Sequence, residues 1–226
     1  MSEPGMRGAS GYEVLGEYVY RASQRVLPRI YRAVMAEQLS RLDESRNPRI
    51  IYVTDLTMCT HKYHMRKVYA EATLSFEPSA VMGDMVHKGI EELLKEQGFL
   101  TEYEVSKSVE LGGEYYEVRG RVDAYRPDEG LVVEIKTMKS FGGSPLKHHL
   151  DQLNIYANML SAREAVLLYV THDRIIEYQV DVFPIDLAGA VKALLEDSFH
   201  PRYEWECSYC PFRKLCPYHV PRQGSA

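Results

Sequence analysis

The chain has 226 residues, 45% hydrophobic and 26% charged, an ordinary balance for a globular protein with room for one sizeable core. Its formal net charge of −5 excludes a general polyanion binder, so any contact with nucleic acid must be local. No long apolar span and no signal sequence are evident, so a cytosolic chain without a membrane is expected, with its thiols reduced rather than paired in disulfides.

Residues 1–11 contain three glycines and read as a flexible start, and residues 223–226 as a frayed end. Residues 13–45 read as helix, broken or kinked near Pro28. Residues 1–50 carry no recognisable motif. Directly after Cys59 comes the run His61-Lys62-Tyr63-His64-Met65-Arg66-Lys67. Such a run is usually a solvated helix face. Its other reading is a nucleic-acid contact, with Lys62, Arg66 and Lys67 on phosphates and Tyr63 stacking on unpaired bases.

Residues 81–96 read as an amphipathic helix with Met82, Val86, Ile90, Leu93 and Leu94 on one side. It carries Gly83-x3-His87-x3-Glu91, which puts His87 and Glu91 one turn apart and in reach of each other. A lone histidine on a helix is more often packed or exposed than a ligand.

Residues 102–111, 115–125 and 131–137 read as a three-stranded meander. In the second strand Tyr116, Val118, Val122 and Ala124 alternate with Glu117, Arg119, Arg121 and Asp123. Pro127-Asp128-Glu129-Gly130 is strong turn chemistry. If those four residues form the loop, Arg126 lies opposite Leu131 and Asp123 opposite Glu134. Paired side chains share a face, about 5 Å apart at Cβ. Lys136 shares that face by period two, and Val133 and Ile135 point into the core. Two carboxylates a few ångströms apart repel, and a divalent cation relieves the repulsion. Such a cation, Mg²⁺ or Mn²⁺ by its oxygen ligands, can activate water and neutralise a phosphodiester. Lys136 can hold the attacking water or the developing charge. The plain alternative is a surface hairpin with a salt bridge.

A second helix spans about residues 146–161 and sets Gln152 and Tyr156 on one face at i,i+4. Residues 164–171 and 175–182 form a strand pair around His172-Asp173-Arg174, and residues 184–199 a further helix. Helix, meander, helix and strands predict an α/β fold: a mixed sheet flanked by helices.

Cys207-x2-Cys210-x5-Cys216 is too clustered to be a scatter of buried thiols. Two readings compete. His219 would complete a local Cys3His zinc set. Alternatively Cys59 supplies a fourth thiolate to an iron–sulfur cluster, [4Fe–4S] or [2Fe–2S], tying the two ends of the chain together.

Gly83-x3-His87, Gly120-x2-Asp123, Glu134-x-Lys136 and Gln152-x3-Tyr156, in this order and at these separations, resemble the RecB-like branch of the PD-(D/E)XK nucleases. With the four cysteines, and without a helicase motor, the chain looks most like the fourth of the CRISPR-associated core protein families. The likeness runs from about Cys59 to Cys216. It implies a restriction-endonuclease-like core at about residues 81–182 within a single nuclease domain. Segments 13–70 and 184–220 would pack together as a small helical iron–sulfur lobe, with Cys59, Cys207, Cys210 and Cys216 as cluster ligands.

By the same resemblance His87, Asp123, Glu134 and the Ile135 carbonyl are metal ligands, Lys136 is the catalytic lysine, and Gln152 and Tyr156 support the site or the DNA. The implied activity is a DNA exonuclease acting mainly on single strands and helping to process new CRISPR spacers in a prokaryotic cytoplasm. CRISPR integration proteins would be its partners, and a homo-oligomer is left open. Alternatives are a stand-alone repair or recombination nuclease, a recruiter of integration proteins that does not cut, and a zinc hydrolase with another substrate.

Overall fold

The computed structural model describes residues 13–15 and 17–221. The glycine-bearing start and residues 223–226 lie outside them. The chain begins with a short hairpin, β1 (Glu13–Leu15) and β2 (Tyr18–Tyr20), followed by α1 (Leu27–Ser40) and α2 (Leu42–Arg46). The helix expected over 13–45, broken or kinked near Pro28, is therefore corrected. Tyr18-Val19-Tyr20 favours strand, and Pro28 sits in the first turn of α1, where its missing N–H costs nothing, so it starts the helix rather than bending it.

Then come β3 (Ile50–Tyr52), α3 (Val53–Thr57), α4 (Thr60–Val68), α5 (Pro78–Glu96), β4 (Leu100–Leu111), β5 (Glu114–Arg126) and β6 (Leu131–Thr137). They are followed by α6 (Lys147–Leu160), β7 (Glu164–Val170), β8 (Ile175–Val180), α7 (Leu187–Leu195) and α8 (Glu206–Tyr209). The expected mixed sheet flanked by helices is present. It has six strands in the order β3-β5-β6-β7-β8, with β4 also on β5. β4, β5 and β6 form the antiparallel meander, β6 and β7 are parallel across the α6 crossover, and β3 is parallel to β5.

β5 has three partners and only two edges. β4 runs along one edge. The other is divided: β3 pairs with Glu117–Arg119, and β6 with Ala124–Arg126. Residues 120–123 fall in the gap between them. The β5–β6 register, Ala124↔Val133 to Arg126↔Leu131, is the one given by counting back from the Pro127–Gly130 turn, and Gly130 takes the positive φ of 64° that this turn needs.

The side-chain parity of β5 changes in that gap. Val118 and Val122 pack with α3, α6 and α7 in the main core, whereas Ala124 joins Val133 and Ile135 in a smaller core closed by Ile90, Leu94 and Phe99. Ala124 thus departs from the strict alternation expected of it. Opposite the gap, Glu102 of β4 has a φ of 51°, a local kink in the same place.

The α5 reading is also corrected. Ile90 and Leu94 pack inward, but Met82 and Leu93 are 67% and 63% exposed. The side of the helix nearest the sheet is occupied instead by Gly83, half-buried His87 and buried Glu91.

Two motif glycines are contact points. A Cβ at Gly83 would come within 2.8 Å of Thr137 Oγ1, where α5 crosses the end of β6. A Cβ at Gly120 would come within 2.3 Å of Tyr156 Cε1 and 3.0 Å of Val53 Cγ2, because the tyrosine ring lies in the gap of β5. Gly120→Ala should therefore lower thermal stability by about 1–3 kcal/mol through overpacking. Gly89→Ala, on the same helix as Gly83 but facing open space, should be neutral or stabilise by up to ~1 kcal/mol. Thermal melts of the two variants check the contrast.

Candidate active site and cysteine pocket

The gap in β5 collects the chemistry. With no strand opposite it, Asp123 turns its carboxylate to the backbone: Ile135 N–H donates to Oδ2 at 2.6 Å. Its Oδ1 lies 3.7 Å from His87 Nδ1. His87, Glu91 and Asp123 each offer one ligand atom within 4.8 Å of the others, the sole such trio among the described residues. On β6, Lys136 Nζ donates to Glu134 Oε1 at 2.6 Å and to Gln152 Oε1 at 2.9 Å. Gln152 Nε2 donates to Glu134 Oε1 at 2.8 Å and reaches the Tyr156 hydroxyl at 3.4 Å. The i,i+4 spacing on α6 thus sets Gln152 against the carboxylate–lysine pair, with Tyr156 behind it.

Burial and charge act together here. Glu134 is pushed up to about 7 by burial, with Asp123 adding to the effect and Lys136 and His87 opposing it. Glu91 is pushed up to about 7 by burial and by the Glu102 and Asp123 carboxylates. For His87, burial favours the neutral ring but the Asp123 carboxylate outweighs it, so its pKa is raised.

Glu91 Oε1 and Glu134 Oε2 are buried with no hydrogen-bond partner. Such orphaned oxygens cost about 1–3 kcal/mol each unless something positive meets them. An oxygen-rich set with one imidazole fits a hard divalent cation. Glu91 is the residue left out of the expected ligand set. The signal was in the sequence, since it stands one turn beyond His87.

The four cysteines line one cavity between the start of α4 and the C-terminal segment, together with His61, Lys62, Trp205 and Phe212. None is in a disulfide. Burial pushes the Cys59 thiol up to about 11 and raises Cys210 as well, the opposite of what a nucleophilic cysteine needs.

Hydrogen bonds also close this junction. Buried Glu206 accepts from Cys59 N–H at 2.7 Å and from Tyr203 N–H at 2.8 Å. Thr60 N–H donates to Phe199 O at 2.7 Å, and Thr60 Oγ1 donates to Asp197 at 2.8 Å. His61 Nδ1 lies 2.6 Å from the other Asp197 oxygen. No sequence signal marked Glu206 or Asp197, because both look like surface acids.

The basic run after Cys59 is mostly turned inward, and this corrects the expected nucleic-acid contact for three of its residues. Tyr63 is buried, and its hydroxyl donates to Pro48 O at 2.7 Å. Arg66 forks onto buried Asp55 at 2.7 and 2.6 Å. Lys67 Nζ donates to the carbonyls of Ser45, Asn47 and Ile50 at 2.7 to 2.9 Å and lies over the Tyr63 ring. These groups spend their hydrogen bonds holding α4 to α2, α3 and β3. Among the described residues Lys62 alone of the four has neither a side-chain hydrogen bond nor an ion pair, and it lines the cysteine cavity.

Comparison with known proteins accords with this geometry. Residues 91–217 match the PD-(D/E)XK nuclease superfamily. The chain is 41% identical over 193 residues to the CRISPR-associated exonuclease Cas4 of Saccharolobus solfataricus, a match covering 81% of this chain and 93% of that protein. The crystal structure of SSO0001 superposes with a TM-score of 0.80 at 35% identity, covering 87% of this chain and 98% of the other. The chain belongs to the PD-(D/E)XK nuclease superfamily and, within it, to the CRISPR-associated Cas4 exonucleases.

Proposed function

We propose that this chain is a metal-dependent DNA exonuclease, acting mainly on single strands and processing new spacers in CRISPR adaptation. We read it as one nuclease domain working in a prokaryotic cytoplasm beside CRISPR integration proteins. The carrying observation is the meeting, at the gap in β5, of the His87–Glu91–Asp123 trio with the Lys136–Glu134–Gln152 network. Among the described residues no helix is long and apolar enough to cross a membrane.

His87, Glu91 and Asp123 would hold the Mg²⁺ or Mn²⁺ ion, with Glu134 and the Ile135 carbonyl completing the set. Such an ion supplies an activated water and a counter-charge for the phosphodiester. The chain's own groups do the rest. Asp123 is fixed by the Ile135 amide, so its second oxygen has one direction left. Lys136 is fixed by two acceptors, leaving one N–H to donate to the attacking water or a phosphate oxygen. Gln152 orients Glu134 and Lys136 together, and the Tyr156 ring sets the position of Gln152.

Asp123→Ala and Glu134→Ala should each lower the cleavage of end-labelled single-stranded DNA at least ~10²-fold, and Lys136→Ala about 10²–10³-fold. Glu91→Gln should behave like the Asp123 variant, and Gln152→Ala should cost about 10–100-fold. Chelation should abolish cleavage and Mn²⁺ restore it, while circular dichroism stays unchanged. Wild-type rates in the Asp123 and Glu134 variants would overturn the assignment.

We further propose that Cys59, Cys207, Cys210 and Cys216 hold an iron–sulfur cluster. A zinc tetrahedron with Zn–S near 2.3 Å needs its sulfurs about 3.8 Å apart. Among the described residues no three of the thiols and imidazoles there offer donors within 4.8 Å of one another. Four thiols set wider around one cavity suit a centre of several irons. Cys59→Ser should lose both iron and visible colour, whereas His219→Ala keeps both. Elemental analysis reads this directly, and zinc retained in Cys59→Ser but lost from His219→Ala would reverse it. Because Glu206, Thr60 and Asp197 close the same junction, the bleached protein should remain folded at reduced melting temperature.

A further inference from the structure

A nuclease with net charge −5 needs a local cationic surface for its substrate, and the run after Cys59 is spent on the fold. The described residues contain another. From Tyr18 to Ala36 there are four arginines and no aspartate, glutamate or lysine. Arg29 and Arg32 lie three apart on α1, on one face of the helix, and Arg25 stands in the bend just before it. None of the three has a carboxylate within ion-pair distance among the described residues. The Arg29 guanidinium donates to the Arg25 carbonyl, and Arg32 Nε donates to the Pro28 carbonyl at 3.2 Å, so neither charge is neutralised.

Aromatic surface is interleaved with the charge. Tyr18 is 69% exposed and Tyr31 47%, and Val26 and Leu27 are exposed beside them. α1 buries none of its residues, so this surface is not used to make the core. It is nonetheless anchored beside the catalytic helix. Gln38 exchanges two hydrogen bonds with the backbone of Ser75, Tyr31 packs on Phe76 just before α5, and Glu37 lies 3.9 Å from Lys88, the neighbour of His87. Glu37 is five residues beyond Arg32, about 7.5 Å along the helix.

We propose that residues 18–32 form a binding arm for single-stranded DNA, with Arg25, Arg29 and Arg32 on successive phosphates and Tyr18 and Tyr31 against unpaired bases. Unpaired cations with interleaved exposed rings are what a single strand offers partners for, since it presents both charge and base faces. The arm carries the strand outside the cleft while the end is cut. The choice of ligand rests on the nuclease reading above; the surface itself does not.

The test reads binding in chelator, where no cleavage occurs, so a wild type that never cuts DNA leaves the measurement standing. Fluorescence anisotropy with a long labelled oligodeoxythymidine compares the intact chain with R25S/R29S/R32S. The triple variant should bind at least ~10-fold more weakly, and its plot of log affinity against log salt should be shallower by about 2, at about 0.7 per phosphate released. Arg25→Lys, Arg29→Lys and Arg32→Lys together should keep the slope. With metal added, the serine variant should cut a trinucleotide at the wild-type rate and the long strand with a raised KM. Unchanged affinity and slope would overturn the proposal. So would a variant whose oligomeric state changes at constant DNA affinity, which would make the face a contact between copies of the chain.

Discussion

A single hydrogen bond organises the centre of this protein: the Ile135 amide to the Asp123 carboxylate, 2.6 Å, at the point where the β5–β6 ladder stops. Continuing that ladder would have matched backbone to backbone and left Asp123 free to turn anywhere. Instead the carboxylate takes the place of a strand carbonyl, and in doing so it is aimed. The same interruption makes room for Tyr156 against Gly120 on one side and for His87 and Glu91 on the other. Sheet topology prepares this, because one edge of β5 is shared between β3 and β6 and cannot be covered throughout.

The site keeps groups that a purely structural core would discard. Two carboxylates in the described residues have a buried oxygen without a partner, and both stand around Asp123. Buried polar atoms are nearly always satisfied in native proteins, so two orphaned carboxylate oxygens around one aspartate point to a role beyond packing. Elsewhere among the described residues two buried nitrogens, His61 Nε2 and Arg66 Nε, also lack a partner, but both belong to side chains that are otherwise paired. Asp55 takes both prongs of Arg66 and also accepts the Tyr52 amide at 2.9 Å, and Lys67, whose pKa burial lowers to about 8, is given three carbonyls. Contrast between these two styles of burial separates a scaffold from a reactive centre.

The local signals in the sequence were strong where the chain pairs with itself nearby. The turn at Pro127–Gly130 sets the β5–β6 register by counting, and the i,i+4 pairs on α5 and α6 follow from helical period alone. What was hidden depends on distant partners. Nothing near Met82 says that α5 rests on its Gly83–His87–Glu91 stripe and turns Met82 to solvent. Nothing near Lys67 says that three carbonyls from another segment wait for it. Glu206 and Asp197 carry no local mark of burial, since a carboxylate is ordinarily a surface group and only the fold brings Cys59 and Thr60 to them. Ala124 broke its alternation because the strand changes parity, which no periodic pattern announces.

The cysteine pocket imposes an order on the life of the molecule. Cys59 and Glu206, whose contact helps to close it, are 147 residues apart in the chain. A ribosome exposes Cys59 well before the other three thiols, so a chain that stops short of Cys216 cannot present the complete set. Until then Cys59 has no second cysteine of its own chain to share a ligand with. Once residues 199–216 dock on α4, the bonds to Glu206 and from Thr60 hold the four thiols around one cavity. Assembly of the four-thiol pocket is thereby placed late in folding, after two distant segments have met.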